Sequence, residues 1–134
     1  MDATACFCDT GKPFVKCCKP FLEGSIQAKT PKQLMRSRYS AYSAGGFGDY
    51  LVATWHPNSR KGLDVATLSA KSHHWKSLEI VEAVQDNNWA TVEFKAAFDN
   101  GTGTLEIHHE LSQFTRNNGV WYYVDGTVAL AAKR

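Results

Sequence analysis

Long apolar runs are missing from this 134-residue chain. Nothing approaches the ~18 consecutive apolar residues that a membrane span requires, so no membrane-crossing helix is expected. The start, Met-Asp-Ala-Thr-Ala-Cys, has neither the basic stretch nor the apolar run of an export signal, and a cytoplasmic location is the expectation. Charge of one sign is also in short supply: 15 basic against 13 acidic side chains give a formal net charge of +2, and no specific DNA binding is expected. There is no phosphate-cradling glycine loop, no nucleophile elbow and no metalloprotease helix, which removes the commonest motif-borne chemistries. Internal repeats and low-complexity segments are absent too. The length excludes two large domains, yet it suffices for a core without covalent staples.

Cysteine is absent after residue 18, and all four cysteines lie in the first 18 residues, as Cys6-Phe7-Cys8, eight intervening residues, then Cys17-Cys18. Such clustering is local chelation and cannot tie distant parts of a fold together. A structural zinc ion wants four soft ligands in a tetrahedron, and two close pairs joined by one turn supply them. Asp9-Thr10-Gly11-Lys12-Pro13 is that turn, with Gly11 free to take a positive φ and Pro13 restricting the exit. One Zn²⁺ per chain is expected on Cys6, Cys8, Cys17 and Cys18. Lys12, Lys16 and Lys19 stand close enough to offset the charge of four thiolates. The competing readings are a disulfide pair, a redox pair and unrelated buried thiols. They are disfavoured by the missing export signal, the strain of adjacent cysteines and the absence of a Cys-x-x-Cys opening a helix.

Cys-x-Cys, a Gly-Lys-containing loop and Cys-Cys resemble the SEC-C zinc motif, named for the extreme C-terminus of the SecA translocation ATPase. The rest of the chain is similar to the YchJ-like SEC-C proteins of bacteria. The matching words are Leu34-Met35-Arg36-Ser37-Arg38-Tyr39-Ser40-Ala41-Tyr42, then Thr54-Trp55-His56-Pro57, then His109-Glu110 through Ser112 and Phe114, then Gly119-Val120-Trp121-Tyr122-Tyr123-Val124-Asp125-Gly126. Phe7, Asp9 and Thr10 depart from the Pro, Gly and Ser common in the motif, but no ligand is lost. No cysteine follows Cys18, whereas some relatives carry a second copy of the motif. The resemblance implies a nuclear transport factor 2-like cone, a curved sheet wrapping helices around a pocket.

The residues alone point to an α+β domain. Residues 1–29 read as the knuckle and a linker, and residues 30–134 as the domain. Thr30, Pro31 and Gln33 form a helix start, and Gly45-Gly46 a stop; Met35, Tyr39 and Tyr42 share one face between them. A second helix is expected from Asp49 to about Trp55, ended by Pro57, and a third turn from Asp64 to Ala70. From Trp75 onward the pattern alternates. Ala90, Val92, Phe94, Ala96 and Phe98 line one strand face, and Leu105, Ile107, His109 and Leu111 one face of the next. Asparagine and glycine pairs mark the turns, and the last strand runs from Val120 to Thr127.

His109 stands out as an imidazole on a strand face otherwise made of Leu105, Ile107 and Leu111, either a hydrogen-bonded core histidine or a pocket base or ligand anchor. Asp125, near Trp121 and Tyr123, is either a pocket acid or a plain turn residue. His73-His74 reads as the solvated start of a strand and a poor metal pair. The pocket is expected from Tyr39, Tyr42, Trp55, His109, Trp121 and Asp125, with His109 and Asp125 the catalytic candidates. Residues through Arg38 hold seven basic and three acidic side chains, which favours contact with a protein or ribosomal partner through the knuckle. The function expected is an interaction or small-ligand-binding module. The alternative is an isomerase or dehydratase acting on a small molecule in the cone.

Overall fold

A computed structural model describes residues 5–8, 10–70 and 74–128. Asp9 of the expected turn and His73 lie outside the described residues. After a 3-10 turn at Phe14–Lys16 come α1 (Lys19–Leu22), α2 (Pro31–Ala44), α3 (Gly48–Ala53), a 3-10 turn at Pro57–Ser59 and α4 (Val65–Ser69). An antiparallel four-stranded meander follows: β1 (His74–Asp86), β2 (Trp89–Asp99), β3 (Leu105–Asn117) and β4 (Val120–Val128), paired in that order. The α+β class is as the sequence suggests.

Helix α2 begins where its caps dictate. Thr30 Oγ1 accepts the Gln33 amide at 3.1 Å, and Gln33 Oε1 reaches back to the Lys29 amide at 2.8 Å. Gly45, at φ 76°, ends the helix with its N–H on the Ala41 carbonyl. Burial extends beyond the expected single face. Leu34, Met35 and Tyr39 join the main core, while Ser37 and Ser40 are buried on other sides. Their small side chains let neighbours approach: Ser37 Oγ meets Tyr50 OH of α3 at 2.6 Å, and Ser40 Oγ meets Cys6 Sγ at 3.6 Å.

The second helix stops at Ala53, short of the expected Trp55, because the chain there turns to pair with the sheet. The His56 amide donates to the Tyr123 carbonyl and the Tyr123 amide to the Thr54 carbonyl, both at 2.8 Å. This parallel bridge covers part of the outer edge of β4, which would otherwise present unpaired backbone groups. Gly48 permits the neighbouring contact, since any Cβ there would run into the Val65 carbonyl and the Ser69 side chain of α4. Asp64 caps α4, its Oδ2 accepting the Thr67 amide at 3.1 Å and the Thr67 hydroxyl at 2.7 Å.

Sheet register decides which side chains face the helices. Ala90, Val92, Phe94 and Ala96 point inward as expected, and opposite them on β3 stand Phe114, Ser112, Glu110 and His108. Directly paired residues share a face. The expected face of β3 is therefore reversed: Leu105, Ile107 and Leu111 lie outside, at 57%, 49% and 41% exposure, while Phe114 is fully buried. Between β3 and β4, Asn118 (φ 52°) and Gly119 (φ 81°) form a two-residue turn with both central residues left-handed, which matches the strand twist. A bulge follows in β4. Phe114 pairs with Tyr123 but Gln113 pairs with Asp125, so Val124 is the extra residue and the alternation flips there.

Candidate functional site

The cysteine loop is built by short-range backbone bonds. Cys6 N–H donates to the Lys12 carbonyl at 2.8 Å, Ala5 bridges Pro13, and Gly11 at φ 85° makes the reversal a side chain would oppose. Cys18 sits at the N-terminus of α1, with its carbonyl accepting from Phe21 and Leu22. All four sulfurs lie within 4.8 Å of one another. A tetrahedral ion with bonds of about 2.3 Å holds its sulfurs about 3.8 Å apart, so the donor set fits one metal ion. Hydrogen bonds from Cys18 and Cys8 push the Cys6 thiol far down, against its burial. The Cys18 thiol is pushed far up, first by its bond to Cys6, and burial pushes Cys17 up to about 11. Neighbouring thiolates repel one another at this spacing, and a bound cation removes that penalty. The loop is docked on α2: Arg36 Nη1 donates to the Cys8 carbonyl at 2.7 Å, and Cys6, Cys8 and Cys18 belong to the same buried cluster as Leu34, Met35 and Tyr39.

A cavity of about 300 Å³ lies between α2 and the inner face of the sheet. Its walls are apolar and aromatic, including Met35, Tyr39, Trp75, Phe94 and Phe98. One end is polar. Glu110 Oε1 accepts from His108 Nε2 at 2.8 Å, and Glu110 Oε2 accepts from Ser112 Oγ at 2.7 Å and Tyr123 OH at 3.1 Å. Burial pushes the Glu110 carboxyl up, but these hydrogen bonds together outweigh it and hold the group below the usual range. An ionised Glu110 requires the hydrogen on His108 Nε2, so in the neutral ring Nδ1 carries the lone pair, a proton acceptor in chemical terms. Behind the carboxylate sits Gly126, where a Cβ would overlap Glu110. Arg38, 3% exposed, also lines the cavity, with its guanidinium against the packed rings of Trp55 (4.8 Å) and Tyr123 (4.5 Å).

The family profile described as YchJ, middle NTF2-like domain, matches residues 30–126. The chain belongs to the YchJ-like SEC-C family. It is 42% identical over 126 residues to a UPF0225 protein of Sodalis glossinidius, covering 90% of this chain and 81% of that one. A UPF0225 protein of Geobacter sulfurreducens is 39% identical, over 90% of this chain and 77% of its own. Among solved structures, the solution structure of a SEC-C motif containing protein from Rhodopseudomonas palustris superposes with a TM-score of 0.85. It shares 36% identity and covers 94% of this chain and 99% of that one.

Within this YchJ-like framework the sequence-predicted residues separate. Cys6, Cys8, Cys17 and Cys18 come together, and Tyr39 and Tyr42 line the cavity. His109 does not: it lies on the outer face, its Nε2 bonded to Glu93 Oε2 at 2.7 Å, because the β2–β3 register turns the even-numbered residues inward. Asp125 is exposed and outward-facing, since the bulge at Val124 reverses the alternation that began at Trp121 and Tyr123. The two catalytic candidates are therefore outside the cavity. Trp55 is absent from its lining but supports Arg38 from behind. Trp121 is buried beside a second cavity, together with Leu22 and Tyr50, and its Nε1 has no hydrogen-bond partner among the described residues.

His108, Glu110 and Ser112 were missed as pocket residues. The signal was present in Phe114, the large apolar residue that continues their series and marks it as the buried one. No helix among the described residues is long and apolar enough to cross a membrane.

Proposed function

We propose that this protein is a zinc-stapled small-ligand-binding module, in which Cys6, Cys8, Cys17 and Cys18 hold one structural Zn²⁺ and the cavity beneath α2 receives the ligand. On this reading the sheet curves around the helices as a cone. The observation that carries it is the aromatic cavity with one polar end, where His108, Ser112 and Tyr123 converge on a buried carboxylate. Apolar walls with a few placed polar groups are the usual make-up of a small-molecule site, and about 300 Å³ is the small end of that range. Four thiolates in a closed tetrahedron are the usual structural set for zinc, with no open position for substrate.

Two measurements test the proposal. Metal analysis of protein purified without added zinc is expected to give one zinc per chain; a ratio near zero with intact thiols defeats that part. A nuclear magnetic resonance fragment screen is expected to shift resonances of Trp75, Phe94 and His108, with the shifts lost in Ala96→Phe, which fills the cavity. Hits scattered over the surface and indifferent to Ala96→Phe would defeat the ligand site. The isomerase or dehydratase alternative loses its original residues, since neither His109 nor Asp125 faces the cavity.

A partner-binding role for the knuckle draws on its exposed Phe7, Lys12 and Lys16. Charge reversal at Lys12 and Lys16 is expected to weaken capture of a protein or ribosomal partner while leaving the metal content unchanged. Undiminished capture would move that contact elsewhere.

A further inference from the structure

Arg38 is a buried guanidinium on the cavity wall whose direct hydrogen bonds go to neutral oxygens. Both Nη1 hydrogens are committed, to the Leu51 carbonyl at 2.8 Å and to Thr54 Oγ1 at 2.7 Å. The guanidinium also rests against the rings of Trp55 and Tyr123, which pack edge-to-face on each other with centroids 4.9 Å apart. The Tyr42 hydroxyl interacts with it, but burial pushes that phenol up and keeps it neutral. Among the described residues, no carboxylate lies within ion-pair distance of the guanidinium. Glu110 acts on it electrostatically without forming an ion pair, and the cost of burying the cation falls further when a ligand brings a carboxylate into direct contact. Beside the Tyr42 contact, further hydrogens are left on the Nε and Nη2 side, the planar side by which a guanidinium takes a carboxylate.

Glu110 is placed differently. Its oxygens already accept three hydrogen bonds, from His108, Ser112 and Tyr123, so its charge is satisfied from within the protein. The cavity therefore has one anion hydrogen-bonded within the protein and one cation whose direct partners are neutral oxygens, with Glu110 acting on it without a direct ion pair. The apolar body of a ligand would meet Trp75 and Phe98, whose ring centroids are 5.2 Å apart in an edge-to-face arrangement, and Phe94 beyond them. Such walls favour a further aromatic ring.

We propose that the cavity receives a small aryl monocarboxylate, its ring against Trp75, Phe94 and Phe98 and its carboxylate held edge-on by Arg38. This deepens the reading of the cavity as a ligand site and rests on it. The test uses the full zinc-loaded chain and three probes of one shape, benzoate, benzamide and benzylamine, titrated by nuclear magnetic resonance. Benzoate is expected to shift cavity resonances with an affinity at least about tenfold above that of benzamide. Its binding should weaken with added salt. In Arg38→Gln that preference should vanish while benzamide binding persists. The wild-type comparison stands by itself should Arg38→Gln fail to fold. Equal or tighter binding of benzamide or benzylamine overturns the carboxylate proposal and leaves the ligand site intact. Failure of all three probes to shift cavity resonances overturns the ligand site and this proposal together.

Discussion

Replacing Gly126 by alanine tests the arrangement around Glu110 through the sign of its effect. In a strand, glycine is ordinarily less favourable than alanine by roughly 0.5–1 kcal/mol, so the exchange should stabilise the protein if space allows. Here the added methyl would occupy the position of the Glu110 carboxylate. The carboxylate must swing away, which breaks its bonds with Ser112 (2.7 Å) and Tyr123 (3.1 Å). A hydrogen bond to a charged group is worth about 1.5–3 kcal/mol. Taking the low end for both bonds, about 3 kcal/mol, and subtracting the backbone gain leaves a net destabilisation of about 2 kcal/mol. Urea unfolding followed by tryptophan fluorescence measures it. In a Glu110→Ala background the obstruction is gone, and Gly126→Ala should cost nothing or stabilise slightly, giving a coupling of about 2–3 kcal/mol in the double-mutant cycle. A neutral or stabilising effect in the wild-type background would refute the placement of Glu110 against the β4 backbone.

Removal of the metal by a chelator, or Cys8→Ser, should lower the melting temperature of the whole chain by more than about 5 °C in one transition. The reason is that Cys6, Cys8 and Cys18 share the buried cluster of α2 and the sheet; a separate early transition in calorimetry would show an independent knuckle. Glu110 has a folded pKa below its ordinary value near 4.5, so the stability it contributes is present above that value and is lost as pH falls through the folded one. Denaturation of wild type and Glu110→Gln across pH 3–6 should therefore converge toward the acid end; parallel curves would contradict the shift. His109→Ala should cost less than about 1 kcal/mol, since the outward-facing pair with Glu93 is partly solvated. A loss of several kcal/mol in chemical denaturation would place His109 in the core instead.

Local chemistry was legible in the sequence, because it depends on neighbours along the chain. The spacing of Cys6, Cys8, Cys17 and Cys18 allows only a local cluster, and Thr30, Pro31 and Gln33 set the start of α2 by backbone bonds within one turn. The alternation of Ala90 through Phe98 fixed the inner face of β2, since one side is uniformly apolar and the other polar. The next strand offered no such contrast. Leu105, Ile107 and Leu111 on one side compete with Ser112 and Phe114 on the other, and periodicity cannot choose between two mixed faces.

The choice was made by pairing with β2, which sets His108, Glu110 and Ser112 opposite Ala96, Phe94 and Val92. The same holds for Asp125. One bulged residue at Val124 turns it from the cavity to the solvent, and nothing in the local sequence announces a bulge. Arg38 likewise reads as a charged residue on an apolar helix until Trp55 and Tyr123, distant in sequence, pack against its guanidinium. Chain-local bonds determined the knuckle and the elements; strand register, a long-range property, decided which side chains form the cavity.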